Sequence, residues 1–217
     1  MLPVRIPVAK EGVPFIGMSA LATVVFALLQ FSWPAIAALV FTGFVLYFFR
    51  DPERIVPTEA GLLTSPADGK VIEITEAQEP WFSIGRTIRI SIFMNVFNCH
   101  VNRAPVSGEV RKLKYRPGLF LSANRSRAMA ENEACALLVR DDNGRSVVVV
   151  QVAGLIARRI VCYAQVGDRL ERGQRYGMIR FGSRLDVYLP AGSRILVRRG
   201  DRAVAGQTVL AEMKEVS

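Results

Sequence analysis

The chain has 217 residues, 51% of them hydrophobic, with 28 Lys and Arg against 19 Asp and Glu and a single His, for a formal charge of +9. That length suits one soluble domain plus an appendage. One histidine and three widely spaced cysteines (Cys99, Cys135 and Cys162) exclude a disulfide framework and a conventional metal site.

The apolar excess is concentrated near the start. From Gly12 to Phe49, 38 consecutive positions carry no charge, whereas one spanning helix needs only ~20 apolar residues. Gln30, Ser32, Trp33 and Pro34 interrupt the run, so the pattern predicts two apolar helices, 14–30 and 35–49, joined by a tight reversal. Each would be about 24 Å long at about 1.5 Å per residue, short of a hydrocarbon core of about 30 Å. The hairpin therefore either crosses a thinned bilayer or enters and returns. Arg5 and Lys10 precede it and Arg50 and Arg54 follow it, which places both ends on the cytoplasmic side. A cleaved secretory signal ending near Ala35-Ile36-Ala37 would leave a second apolar arm attached. A buried helical pair of a soluble protein is the other alternative.

Most of the positive charge follows residue 50. Residues 111–127 hold Arg111, Lys112, Lys114, Arg116, Arg125 and Arg127 and no acid. Beside a membrane anchor such a stretch meets anionic headgroups, and a solvated basic face fits equally well. Nucleic acid is not expected as a partner, because aromatics are sparse here and no binding motif is present.

After Arg50 the texture changes to short β-branched runs between Gly, Pro, Asp and Asn. "VIEIT", "TIRISIFMNV", "SVVVVQVAG", "RIVCYAQV" and "DVYLP" predict strands, and "DDNGR" (141–145) predicts a hairpin turn. Helical periodicity is confined to "SRAMAENEACALL" (126–138). The fold class is mostly β, behind an apolar helical hairpin. "SPADGKVIEI" (65–74) is echoed by "APVSGEVRKL" (104–113), and "VGDRLERGQRYGMI" (166–179) by "RGDRAVAGQTVLAE" (199–212). This paired order resembles lipoyl and biotinyl carrier domains and implies a duplicated barrel-sandwich.

The segment "RFGSRLDVYLP" (180–190) alternates like a strand but opens on Gly-Ser. If Ser183 Oγ attacks the Gly182 carbonyl, the peptide becomes an ester. Elimination then cuts the chain, and hydrolysis of the resulting dehydroalanine gives an N-terminal pyruvoyl group and ammonia. Glycine keeps the carbonyl open and tolerates strained angles. A second pair, Gly192-Ser193, carries the same local chemistry.

Taken in order, "FFRDPER" (48–54), "SPADGKV" (65–71), "FMNVFNCHVNRAPVSGEV" (93–110), "YRPGLF…ENE" (115–133) and "RFGSRLDVYLP" span most of the soluble part. Together they resemble the phosphatidylserine decarboxylase proenzyme family in its short membrane-anchored form. The resemblance implies self-cleavage between Gly182 and Ser183, not at Ser193. The products would be a β chain of 1–182 and an associated α chain of 183–217, after a hairpin domain (1–50) and within a catalytic domain (51–217).

It further implies a pyruvoyl group made from Ser183, with no metal, which forms a Schiff base with the substrate and releases carbon dioxide and phosphatidylethanolamine. His100 and Asp68 would be the other catalytic residues. An imidazole could take the hydroxyl proton while a carboxylate orients the ring. Taken alone, Asp68 reads as a turn residue and His100 as a core group.

Longer members carry His-x-x-His-x-Pro, whereas this chain has His100-Val-Asn-Arg103-Ala-Pro105, so Arg103 stands where the second imidazole would be. Arg103 stays protonated and is a candidate for holding the substrate carboxylate or phosphate; Lys114 and Arg116 are candidates for the headgroup. The implied location is a bacterial-type inner membrane, with the catalytic domain on the cytoplasmic side, and a homo-oligomer stays open. Two rival functions remain: a membrane-tethered lipoyl-like adaptor without activity, and a pyruvoyl decarboxylase of another amine. The adaptor needs a lysine at a repeat turn, and neither repeat turn has one.

Overall fold

In the computed structural model, residues 7–118, 132–154, 160–180 and 182–213 are described. They form two compact units, Met1–Glu53 and Arg54–Ser217.

The first unit is a helical hairpin. After a 3-10 turn at Lys10–Gly12, α1 spans Val13–Leu28 and α2 spans Ser32–Phe48. The second helix begins three residues earlier than the sequence pattern predicts. Pro34 interrupts nothing there, because the N–H it lacks would be unpaired in a helix's first turn anyway. Gln30 takes a left-handed φ of 60° to turn the chain. Thr23 and Thr42 meet across the pair at 3.2 Å, and Phe15 stacks on Phe49 with centroids 5.5 Å apart. Met18, Leu21, Leu28, Leu39, Val40 and Phe41 are all exposed, so the hairpin is apolar outside as well as inside. With its 3-10 turn, the first helix (Lys10–Leu28) is long and apolar enough to cross a membrane.

The second unit is built of strands: β1 (Leu62–Thr64), β2 (Gly69–Gln78), β3 (Arg86–Met94), β4 (Val101–Arg103), β5 (Gly108–Arg116), β6 (Ala134–Arg140), β7 (Ser146–Val152), β8 (Ile160–Cys162), β9 (Arg169–Leu170), β10 (Arg175–Ile179), β11 (Ser183–Pro190), β12 (Arg194–Ile195), β13 (Arg202–Ala203) and β14 (Val209–Glu212). One sheet runs β13-β2-β3-β11-β7-β6-β5-β9, and two smaller sheets run β1-β14-β12 and β4-β10-β8.

The order is palindromic because the domain is duplicated. The second copy, β4 to β10 with β6 and β7, is inserted into the first, which is made of β1 to β3 and β11 to β14. Repeated backbone bonds show the equivalence. Val71 N donates to Asp201 O at 2.9 Å as Val110 N does to Asp168 O at 2.9 Å, and Gly200 N to Val71 O matches Gly167 N to Val110 O, both at 2.8 Å. The copies cross where Arg103 N donates to Pro66 O and Thr64 N to Pro105 O, each at 2.9 Å. Gly69 and Gly108 open β2 and β5 for one reason: a Cβ on either would overlap a carbonyl oxygen, that of Phe93 or of Arg140.

The "DDNGR" hairpin joins β6 to β7 through a bond from Asp141 N to Arg145 O at 2.9 Å, with Gly144 at φ 76°. "ACALLVR" is strand β6 rather than helix. Paired on both sides by β5 and β7 and buried up to Val139, it takes its conformation from the sheet. The first part of that helical pattern lies outside the described residues.

Strand β11 is central. It pairs with β3 from Ser183 to Pro190 and with β7 from Arg184 to Tyr188. Its alternation sends Leu185, Val187 and Leu189 into the main core with Ile90, Ile92 and Met94. Tyr188, on the opposite face, joins a smaller cluster around Trp81 and Val150. On that face Arg184 Nε donates to Asp186 Oδ1 at 2.6 Å and a terminal nitrogen donates to Ser91 Oγ at 2.8 Å, all of it buried. Burial, with Asp186 alongside, pushes the Tyr188 phenol up to about 12. Removing Asp186 leaves the buried Arg184 with only the longer ion pair to Glu73 at 3.5 Å, so Asp186→Ala is expected to lose about 3 kcal/mol in urea unfolding; a loss below about 1 kcal/mol would show the pair to be incidental.

Candidate active site

Three segments meet at one end of the large sheet. The register carries a single row of residues across it: Arg116 on β5, Ala134, Val152, Arg184, Phe93, then Lys70 and Arg202. Ser183 lies one position beyond this row, at the head of β11, opposite Met94.

Ser183 is fully buried. Among the described residues its hydroxyl has one partner, the sulfur of Met94 at 3.5 Å. Asn102 Nδ2 approaches the same sulfur at 3.8 Å, and Gln151 Nε2 donates to Asn102 Oδ1 at 2.8 Å. A thioether is a weak acceptor, so Ser183 Oγ is held in place while its proton stays loosely engaged. Gly182, just before it, has φ 56°, a left-handed conformation that glycine adopts without the cost other residues incur, and nothing stands within 4 Å of where a Cβ would lie. Ser193 sits past the far end of β11, in the turn after Pro190. A strand of eight residues spans about 25 Å, so the two Gly-Ser pairs occupy opposite ends of the sheet.

His100 is fully buried just ahead of β4. Its carbonyl accepts from Ile179 N at 3.3 Å, which ties it to the segment leading into Ser183. Asp68 lies on the neighbouring loop, bound beside β4 by the Arg103–Pro66 contact. Its carboxylate is occupied: Oδ2 accepts from Arg54 at 2.9 Å and Oδ1 from Ala205 N at 2.8 Å. His100 is thus tied to the strand that leads toward Ser183, while Asp68 lies just ahead of β2, the second strand from β11, and its carboxylate is engaged by Arg54 and Ala205 N.

Arg103 is buried, donates to Gly173 O at 3.0 Å and packs its stem against Gly206. Lys114 is exposed on β5. Arg116 lies over the Trp81 ring at 4.7 Å and donates to Asn132 O at 3.3 Å; burial lowers its pKa, although a guanidinium stays protonated. Both are on β5, three strands from β11 and so about 14 Å away at strand spacing. Residues 119–127 of the basic stretch lie outside the described residues. Among the described residues, no group of three or more His, Cys, Asp and Glu side chains is placed to hold a metal ion.

Met94, Asn102, Gln151 and Arg54 were not singled out as site residues by sequence reasoning. Gln151 carried a usable signal, since an amide inside "SVVVVQV" interrupts an otherwise apolar strand and a buried amide needs partners.

The chain is a duplicated β-sandwich with a buried serine behind a left-handed glycine at the head of a central strand. Comparison with known proteins gives the family. The phosphatidylserine decarboxylase family model matches residues 41–211. The phosphatidylserine decarboxylase proenzyme of Desulfotalea psychrophila is 49% identical over 213 residues, covering 98% of this chain and all of that one. Those of Geotalea uraniireducens (53% over 206 residues, 94% and 95% covered) and Trichlorobacter lovleyi (50% over 220 residues, 98% and 100%) are similar. The chain belongs to the phosphatidylserine decarboxylase family.

Proposed function

We propose that this chain decarboxylates phosphatidylserine to phosphatidylethanolamine after cutting itself between Gly182 and Ser183. The observation that carries the proposal is Ser183 itself: a buried hydroxyl with a weak sulfur partner, preceded by a glycine at φ 56°. Oγ bonds to the Gly182 carbonyl carbon as the C–N bond breaks and the nitrogen takes a proton. Loss of the Ser183 Cα proton then breaks the Oγ–Cβ bond, leaving Gly182 as a carboxylate. Water displaces ammonia from residue 183 and leaves a ketone.

The fragment 183–217 stays in place after the cut. Strand β11 is held by β3 on one side and β7 on the other, and β13 and β14 pair with β2 and β1. The pyruvoyl group at residue 183 supplies an electrophilic carbonyl that accepts the electrons released with carbon dioxide. The Met94 and Asn102 side chains fit a small neutral group there, because they offer no charge and little steric demand beyond the hydroxyl already present.

His100 is our candidate for moving the proton in both stages, taking it from Ser183 Oγ and returning one to the substrate Cα. Asp68 is the other candidate, its carboxylate held in position by Arg54 and by Ala205 N. In this reading the apolar hairpin is the membrane anchor, and the basic residues at its ends support a cytoplasmic catalytic unit. A lipid substrate gives that anchor its purpose, which a soluble amine substrate would not.

Full-length protein in mixed micelles is expected to release labelled carbon dioxide from carboxyl-labelled phosphatidylserine and none from free serine. Equal release from serine would favour the soluble-amine reading.

A further inference from the structure

We propose that the cleft beside Lys70 and Arg202 is the subsite for the phosphodiester of the substrate lipid; this rests on the function proposed above. The cleft has a volume of about 650 Å³ and is lined by Lys70, Arg202, Asn95, Asn98, Asp68 and Phe93 among others. Phe93 and Asn95 flank Met94, the Cα partner of Ser183. Lys70 stands one strand further and Arg202 two, about 10 Å and about 14 Å from β11 at strand spacing; both lie in the row of Phe93 and Arg184, on the face opposite the Ser183 hydroxyl, so they meet the substrate around the end of the sheet. In the substrate, only two carbons separate the reacting amine from the phosphodiester oxygen.

Lys70 and Arg202 are directly opposite each other across β2 and β13. Like charges in that position destabilise a sheet, and neither side chain has a hydrogen bond or ion pair among the described residues. Arg54, Arg86, Arg89, Arg111, Arg145, Arg169, Arg184 and Arg194 all pair with a carboxylate. The acid in the lining, Asp68, is already neutralised by Arg54.

The duplication provides an internal control. The pair equivalent to Lys70 and Arg202 in the other copy is Glu109 and Arg169, of opposite charge. There Arg169 is held by Asp142 at 2.7 Å, Glu109 itself pairing with Arg111 at 2.8 Å, and the residue in Asp142's place in the first copy is Asn95. So at the end bearing Ser183, and only in that copy, an acid on each side of the arginine is replaced, by Lys70 and Asn95. Asn95 and Asn98 use their side-chain oxygens within the loop, accepting from Phe97 N at 2.9 Å and Asn95 N at 2.8 Å. Their amide nitrogens are left as donors. Two uncompensated cations and two free amide donors make a site for an anion with several acceptor oxygens.

The test compares the full chain with a Lys70→Gln/Arg202→Gln variant and with Lys70→Arg, by decarboxylation of phosphatidylserine in mixed micelles. In the double variant KM is expected to rise about tenfold with a smaller change in kcat, while the 183–217 fragment still appears. Lys70→Arg should keep the parental KM. Removing the like-charge pair should leave the protein melting no lower than the parent, an outcome that loss of a structural contact would not give. Inorganic phosphate should compete with the lipid in the parent and not in the double variant. An unchanged KM, or phosphate that binds at the cleft without competing with lipid, overturns the subsite. Should the double variant fail to mature, Lys70→Gln and Arg202→Gln singly, both at exposed positions, carry the same comparison. A parent chain that matures but does not decarboxylate refutes the function instead.

Discussion

Replacing Ser183 by alanine is expected to stop both maturation and activity completely. The substitution removes the hydroxyl proposed to attack the Gly182 carbonyl, and with it the source of the ketone. The fold should survive: among the described residues the hydroxyl's partner is a thioether 3.5 Å away, so its loss should cost less than about 1 kcal/mol. A denaturing gel should show one band at 24.0 kDa. Ser193→Ala is the matching control. That residue lies beyond the other end of β11, and its variant should cut normally. If Ser183→Ala still yields the 183–217 fragment, another nucleophile makes the cut.

The second large effect is expected at His100. A buried imidazole beside the segment that leads into Ser183 is the one histidine of the chain, and general acid–base help of this kind contributes about 10²–10⁴ in rate. His100→Gln keeps the polarity and approximate volume while removing the titrating proton. It is expected to slow fragment formation and to lower kcat by about two orders of magnitude or more. The imidazole's limb should also vanish from the pH profile of kcat/KM measured on whatever enzyme matures. A variant that cuts and turns over like the parent, with the same pH profile, would make His100 a packing residue.

Much of the β architecture was legible because period-two alternation and turn residues are local signals. "DDNGR" is a hairpin turn wherever its flanks pair, and "DVYLP" alternates across β11 as expected. The duplication was visible through glycines whose role is steric, Gly69 and Gly108, and through the Gly-Asp turns that bond back to β2 and β5. Less local features were harder to see. Pro34 reads as a break, yet it fits inside the first turn of α2. "ACALL" has helix-forming composition, yet the sheet on both sides makes it a strand.

The site divides along the same line. Gly182-Ser183 and His100 stand out by residue type and motif. The neighbours that shape them do not, since Met94 meets Ser183 only through the pairing of β3 with β11, and Asn102 meets the Met94 sulfur only through the fold. Asp68 was expected to orient an imidazole, and in the structure its carboxylate is engaged by Arg54, a partner 14 residues earlier. Lys70 and Arg202 are unremarkable in a chain with 28 Lys and Arg. Only the strand pairing shows them to be neighbours, and only the other copy shows what the sheet places there when no ligand has to be met.

The most direct test of this account is the intact mass of the purified, lipid-active protein under denaturing conditions. We expect a 35-residue fragment, 183–217, whose first residue has lost its amine and carries a ketone, together with its partner 1–182. Active protein consisting of one uncut chain, with residues 182 and 183 still joined, would contradict it.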